Sequence, residues 1–160
     1  MTRALPAECG RSAARRAAVQ GRECDHDRVV LVTHLVTYVE VDDAVADPRR
    51  LSVSASHEAG LSNGDRVLLL EDRGWSVSGL PDVWSSMSAG EIENTARVVV
   101  GPDEAFGGHS QEDMEASHWV CLAAALRRQG ADVQWSALRE LPHDVVLGER
   151  LLARLSASAR

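Results

Sequence analysis

The stretch LSVSASHEAGLSNGDRVLLLED, residues 51–72, contains the pattern that decides the fold. From position 51 to 58 the odd positions are Leu, Val, Ala and His, and the even positions are Ser or Glu, as in a strand with one exposed face. Asn63-Gly64 separates this run from a second strand-like run, Arg66–Asp72. Asn-Gly is the preferred pair of a tight hairpin turn, because it tolerates the positive φ that the turn needs. We therefore predict an antiparallel hairpin here.

A longer strand is predicted before the hairpin, over VVLVTHLVTYVEV, residues 29–41. This stretch is rich in β-branched residues and is apolar at both odd and even positions, which is typical of a strand at the centre of a sheet. The three strands in succession predict an antiparallel meander, which has four strands if Trp75–Ser78 adds one.

Beyond the strands, the apolar residues recur with the period of helices. Ser88 and Glu91 have the spacing of a capping box, and the helix that begins there ends before Gly101-Pro102. Three further helices are predicted, over residues 110–129, 136–141 and 144–155. The predicted fold class is α+β, with an N-terminal meander of three to four strands and about four helices packed on one face of the sheet.

The composition indicates one globular domain that follows an extension. The chain has 160 residues, of which 44% are hydrophobic, and this is enough to bury one core. Residues 1–28 lack the apolar segment of a secretory signal, and we interpret them as a flexible or non-native extension. The predicted domain spans residues 29–160, with the meander over 29–78 and the helical part over 88–158. No apolar run is long enough for a membrane helix.

The cysteines and the charged residues bear on compartment and partner. Three Cys give no framework of paired disulfides, which is typical of the reducing cytoplasm. All 17 basic residues are Arg, as in proteins from high-GC bacterial genomes. Residues 29–120 contain five Arg against sixteen Asp and Glu. This acidic body repels the phosphates of nucleic acid and favours a basic protein partner.

The second predicted helix has Glu115, His118 and Cys121 at three-residue spacing, the spacing of a metal or catalytic constellation. All three fall on the apolar side of a helical wheel, so packing accounts for the spacing. A carboxylate-bridged di-iron site needs a second Glu-x-x-His pair, and the sequence has none. Cys121 is expected to be buried among apolar neighbours, where a thiol is inert. We predict no metal site and no cofactor.

Three histidines are candidates for acid–base chemistry. His34 and His57 are expected on the inward face of the sheet, and His118 on the helix above them. Three imidazoles that meet would suit a zinc site or a proton relay. A small hydrolase or isomerase would then use His118, Glu115 and His57 as its catalytic residues. Separate histidines, each hydrogen-bonded on its own, are the alternative.

Four residues are the candidate partner-binding group. Asp72, Arg73 and Trp75 follow the hairpin, and Trp84 lies in a turn-rich segment. Exposed tryptophans are enriched at interaction hot spots, whereas buried ones only cover a core. Because the sequence contains no catalytic motif that we can identify, we predict a small cytoplasmic bacterial binding or adaptor protein, an accessory component of a multi-protein system.

A DNA-binding regulator is the second alternative. The last three predicted helices follow one another as in a helix-turn-helix unit, with Arg150 and Arg154 on the last. Leu dominates that helix, and Asp144 and Glu149 lie near its arginines, so its charge disfavours contact with DNA.

Overall fold

The computed structural model describes residues 30–42, 47–79 and 81–158, and the predicted extension over residues 1–28 lies outside these ranges. The described residues form a four-stranded sheet and four α-helices, which confirms the α+β class. The strands are β1 Val32–Val41, β2 Arg50–Leu61, β3 Arg66–Ser78 and β4 His143–Leu147. The helices are α1 Ala89–Val99, α2 Gln111–Arg128, α3 Trp135–Arg139 and α4 Glu149–Ser158. None of these helices is long and apolar enough to cross a membrane.

The hairpin predicted from Asn63-Gly64 is confirmed. β2 and β3 pair antiparallel, and the amide of Leu61 donates to the carbonyl of Asp65 at 2.9 Å across the turn. Gly64 has a φ of 87°, a conformation that Gly adopts without strain. β3 continues through the segment Trp75–Ser78, which therefore belongs to the third strand and adds no strand of its own.

The predicted helix over residues 144–155 is wrong in its first part, where the chain forms β4. This strand pairs with β1 in parallel, with Leu35 opposite His143 and Val39 opposite Leu147. The sheet order is β3-β2-β1-β4, so the sheet is mixed and not purely antiparallel. The helical part is displaced to α4, which begins at Glu149.

Tertiary pairing explains why β4 forms in place of a helix. Its two valines, Val145 and Val146, are β-branched and favour extended backbone once a neighbouring strand is present. The strand is joined to β1 beyond its ends, where the Leu35 amide donates to the Pro142 carbonyl and the Gly148 amide donates to the Val39 carbonyl, each at 2.8 Å. A strand that pairs with a segment so distant in sequence has no local signal of its own.

The helices cover one face of the sheet and enclose two hydrophobic clusters. We name them the Ile92 cluster and the Leu126 cluster after their central residues. The Ile92 cluster contains Val39, Val41, Leu51, Val53, Val83, Trp84, Ile92, Ala96 and Leu151. The Leu126 cluster contains Leu35, Ala59, Val67, Leu122, Ala123, Leu126, Ala131 and Leu138. Along β1 and β2 the two clusters are separated by polar residues, Thr37 and His57, which are fully buried.

The capping box predicted at Ser88 is present, and a second one begins α2. The Ser88 hydroxyl accepts from the Glu91 amide, and the Glu91 carboxylate accepts from the Ser88 amide, at the start of α1. Ser110 and Asp113 make the same reciprocal pair at the start of α2. These contacts satisfy amides of the first turn that have no partner within the helix.

Replacing Gly74 by Ala is expected to lower the free energy of unfolding by about 1 to 2 kcal/mol. A Cβ at this position would lie 2.4 Å from the carbonyl oxygen of Val53 on the neighbouring strand, so the backbone would have to shift. Gly90→Ala in α1 is the matched control, because a Cβ there meets nothing within 4 Å. Because Ala has a higher helix propensity than Gly, this control is expected to raise the free energy of unfolding by up to about 1 kcal/mol. Urea unfolding measures both, and equal midpoints for the two variants would contradict the prediction.

Candidate functional site

Three strands bring together Thr37, His57 and His143, which we name the polar seam. Thr37 lies on β1, His57 on β2 and His143 on β4, and all three point to the face that the helices cover. Thr37 is 0% exposed and His57 is 2% exposed, whereas His143 at the start of the edge strand is half-buried. Buried polar groups need hydrogen-bond partners, and in the seam these residues partner one another.

A single hydroxyl bridges the two imidazoles of the seam. The Thr37 Oγ1 lies 2.8 Å from His57 Nδ1 and 2.8 Å from His143 Nε2. The ring centroids of the histidines are 4.9 Å apart, with the ring planes at 71°. Both distances are those of good hydrogen bonds, so each ring is held in position by the threonine.

Burial keeps His57 uncharged. Desolvation, followed by the nearby His143 and His118, lowers the pKa of His57 from its ordinary value of 6.5 to about 3. A buried imidazole next to other imidazoles cannot take up a proton at neutral pH, because its charge would lack solvation and would be repelled by a second charge. The seam is therefore a neutral hydrogen-bonded unit under ordinary conditions.

His143 and His118 also have lowered pKa values. For His143 the first cause is burial and the second is the guanidinium of Arg97 on α1, while Asp144 acts in the opposite direction. For His118 burial comes first, Arg73 adds to it and Asp103 opposes it. The ring of His118 stacks edge-on against Trp119, with centroids 5.1 Å apart.

Of the three predicted histidines, only His57 and His118 influence each other electrostatically. His57 and His118 are close enough for each charge to affect the other, and the buried Nε2 of His118 has no hydrogen-bond partner among the described residues. The expectation that His34 also faces inward is wrong, because it alternates with the inward Leu35. The His34 ring lies over Gly60, where a Cβ would come within 2.1 Å of it.

His143 was not predicted as a functional residue. The sequence pattern predicted a helix for the residues that follow it, so it did not predict that His143 lies on a strand beside β1. The local signal that was available is the pair Val145 and Val146 between Pro142 and Gly148, which is compatible with a short strand.

The face of α2 that packs on the fold is rotated from the predicted one. Leu122, Ala123, Ala125 and Leu126 are its buried residues. Cys121, which was expected to be buried, is exposed, because one residue back from Leu122 is about 100° around the helix axis. The Glu115 carboxylate lies 4.0 Å from the Arg139 guanidinium of α3. Among the described residues no group of three or more His, Cys, Asp and Glu could hold a metal ion.

The predicted partner-binding residues offer little aromatic surface. Trp84 is 5% exposed within the Ile92 cluster, and its Nε1 donates to the Asp47 carbonyl at 2.9 Å. Trp75 is half-buried. Asp72 is exposed, and Arg73 forms an ion pair with Asp103 at 3.0 Å. The condition for a hot spot, an exposed indole, is not met by Trp84.

The loop between α1 and α2, residues 101–110, presents a feature that the sequence pattern did not single out. We name it the Phe106 loop. Phe106 is the only phenylalanine of the chain, and it is 64% exposed. Asp103 and Glu104 precede it, and Glu112 follows at the start of α2; all three are exposed. Composition alone does not show that this aromatic ring is left in solvent.

The two arginines of the DNA-binding alternative contact their own protein. The Arg150 Nη2 donates to the Val41 carbonyl at 2.9 Å, and its Nε lies 3.7 Å from the Glu40 carboxylate. The Arg154 guanidinium lies over the ring of Trp84, 5.4 Å from its centroid. β4 also separates α3 from α4, so the three successive helices expected of a helix-turn-helix unit do not form.

A shallow cavity of about 250 Å³ lies at the end of α4, away from the polar seam. It is lined by Pro48, Asp82, Trp84, Arg154, Ala157 and Ser158, so no histidine borders it. Thr37 and His57 of the seam are buried and His143 is half-buried, whereas the Phe106 loop is exposed. No family model, curated protein or solved structure matches this chain. A proposal about function therefore depends on the seam and the loop.

Proposed function

We propose that this protein is a small binding or adaptor protein that docks a basic segment of another protein on its Phe106 loop. The observation that supports the proposal is the 64% exposure of Phe106 beside Asp103 and Glu104. A single exposed apolar side chain is ordinary on a protein surface. An aromatic ring held on an acidic loop is different, because aromatic anchors dominate the binding energy of interfaces.

Two hydrogen bonds and a glycine turn shape the Phe106 loop within the chain itself. The Ala105 amide donates to Gln111 Oε1 at 3.0 Å, and the His109 amide donates to the Phe106 carbonyl at 3.1 Å. Gly107 and Gly108, with φ of 62° and 89°, make the turn. A preorganised loop loses little conformational entropy on binding, which favours affinity.

Charge favours a basic partner. Residues 101–113 contain four Asp and Glu and no Arg. Asp103 forms an ion pair with Arg73, but its side chain is still 62% exposed. Glu104 and Glu112 are exposed as well. Arg side chains can contact both the acids and the face of an aromatic ring, so an Arg-containing segment fits this surface best.

Replacing Phe106 by Ala is expected to weaken binding of a basic peptide roughly tenfold, because the aromatic anchor is lost. The probe is a short peptide of alternating Arg and Leu, titrated into isotopically labelled protein and followed by amide chemical shifts. We expect the shifts to be confined to residues near the Phe106 loop, with an affinity that falls as salt is raised.

Two controls make this titration decisive. Leu152→Ala on α4 removes another exposed apolar side chain, of 43% exposure, and should leave the affinity unchanged. A peptide in which Glu replaces Arg should not bind. Shifts spread over the whole acidic surface, or equal affinities for the Phe106 and Leu152 variants, would contradict the proposal.

We further propose that the protein works in the reducing cytoplasm of a bacterium. This rests on the odd number of Cys and on the exclusive use of Arg as the basic residue. Exposed Cys121 would then be kept as a thiol. Detection of the native chain in the soluble fraction of a cell lysate, with Cys121 reactive toward a maleimide, tests this.

Acid–base catalysis is the second candidate function, and the Thr37 bridge is the observation that favours it. A neutral histidine oriented by a hydrogen-bonded partner is the arrangement of a general base. His57 and His118 would contribute, whereas Glu115 lies beside Arg139. Acylation by diethyl pyrocarbonate at neutral pH tests access to the site. Rapid reaction of His143 or His118 would support the enzyme, and protection of both would contradict it.

A further inference from the structure

The polar seam has one hydroxyl proton for two hydrogen bonds. Thr37 Oγ1 lies 2.8 Å from a ring nitrogen on each side, so each contact must contain one proton. The hydroxyl can supply only one of them. The second must come from a ring N–H, which means that one histidine donates to Thr37 and the other accepts from it.

This count links the tautomers of the two rings when both are neutral. If His57 Nδ1 accepts, its proton is on Nε2, and His143 must donate from its own Nε2. If His57 Nδ1 donates, His143 Nε2 must accept, and the proton of His143 is on Nδ1. Both rings are thus protonated on Nε2, or both on Nδ1, and mixed states break a hydrogen bond.

We propose that Thr37 connects His143 and His57 as a proton relay between the half-buried edge of the sheet and its buried centre. A proton arrives at His143 Nδ1, and His143 Nε2 passes its proton to Thr37 Oγ1. Thr37 passes its hydroxyl proton to His57 Nδ1, and His57 gives its Nε2 proton to the imidazole of His118, whose buried Nε2 has no hydrogen-bond partner among the described residues. His143, Thr37 and His57 each give up one proton for the one that they receive, and both rings end in the other of the two linked tautomers.

The surroundings of the relay decide which ring holds the extra proton in transit. At His143, Arg97 of α1 disfavours a positive charge and Asp144 favours one. At His57 both nearby titratable groups, His143 on β4 and His118 on α2, disfavour it. The charge is therefore held mainly at His143, and His57 is protonated only in passing.

The group next to the buried end of the relay is His118 on α2. The charge of His118 acts on His57, and the buried Nε2 of His118 has no hydrogen-bond partner among the described residues. Arg73 disfavours a positive charge on His118 and Asp103 favours one.

The test is nitrogen NMR of the imidazole rings in the full-length protein near neutral pH. In the wild type we expect His57 and His143 to show the same tautomer, and Thr37→Ser, which keeps the hydroxyl, to preserve this. In Thr37→Val the link is absent, and exchange of the His57 ring N–H with solvent should slow roughly tenfold or more.

Each result decides the proposal. Matching tautomers in the wild type and in Thr37→Ser, with slowed exchange in Thr37→Val, support the relay. Opposite tautomers in the wild type would overturn it, and so would an unchanged exchange rate in Thr37→Val. If Thr37→Val does not fold, Thr37→Ala, which also lacks the hydroxyl, gives the same comparison of exchange rates.

Discussion

Lowering the pH from about 7 to about 4.5 is expected to lower the free energy of unfolding by about 3 kcal/mol through His57 alone. Burial lowers the pKa of His57 to about 3 in the fold, and the unfolded chain has the ordinary value of 6.5. Between these values the unfolded state binds the extra proton. The stabilisation is therefore complete above about pH 6.5 and is lost as the pH falls.

Other groups set the useful window for this measurement. His118 and His143 also have lowered pKa values, so they add to the loss in the same direction. Glu91 and Asp113 have pKa values lowered by their hydrogen bonds to Ser88 and Ser110, and the stability that they contribute is lost at a lower pH than that of the histidines. A series that stops at about pH 4.5 therefore reports mainly on the histidines.

Urea unfolding at several pH values in the wild type and in His57→Phe separates the contribution of His57. The aromatic ring of Phe fills most of the space and does not titrate. We expect the variant to lose about half or more of the acid slope. An unchanged slope would show that His57 is not the group that opposes protonation in the fold.

Replacing Thr37 by Val is expected to lower the free energy of unfolding by about 2 to 4 kcal/mol at neutral pH. Val has nearly the shape of Thr, so no cavity forms. The loss comes from His57 Nδ1 and His143 Nε2, which would both be left in the seam without the hydroxyl that now bonds them. A buried polar atom without a partner costs its full desolvation penalty, about 1 to 3 kcal/mol, which exceeds the net contribution of an ordinary hydrogen bond.

Thr37→Ser is the matched control for this prediction. It keeps the hydroxyl and removes one methyl group, so the expected loss is about 1 kcal/mol. Denaturant unfolding of both variants gives the comparison directly. A Val variant as stable as the Ser variant would mean that the bridge contributes nothing net to stability.

Local signals made the first half of the fold predictable. Asn63-Gly64 and the alternation of residues 51–58 are short-range patterns, and they predict the pairing of β2 with β3 without reference to distant residues. The two capping boxes are equally local, so α1 and α2 were predicted close to their true starts. The signals that predict these elements each lie within about ten residues of sequence.

Nonlocal contacts explain what could not be predicted. β4 is a strand because β1 offers it an edge, and periodicity along the chain contains no information about that edge. His143 was therefore not predicted to lie in the site, whereas strand alternation correctly predicted that the side chain of His57 points inward. The predicted buried face of α2 was wrong for a similar reason. Which of its apolar residues pack inward depends on the positions of α3 and of the sheet.

The exposure of Phe106 was also beyond the reach of the sequence. An isolated phenylalanine between Ala and Gly is compatible with a buried loop anchor as well as with a solvent-facing ring. Its exposure follows from the turn at Gly107 and Gly108 and from the hydrogen bonds that fix the loop. Such geometry emerges only from the folded chain.

The position of β4 has a consequence for how the chain folds as it is synthesised. β1, β2 and β3 leave the ribosome first and can pair with one another as neighbours in sequence. The outer edge of β1 stays unpaired until residues 143–147 have been synthesised. Until then the nascent chain exposes a hydrogen-bonding edge that any other strand can join. Closing the sheet is thus a late, long-range event, and such events are slow. A chaperone that shields the edge of β1 would act on this protein only during that interval.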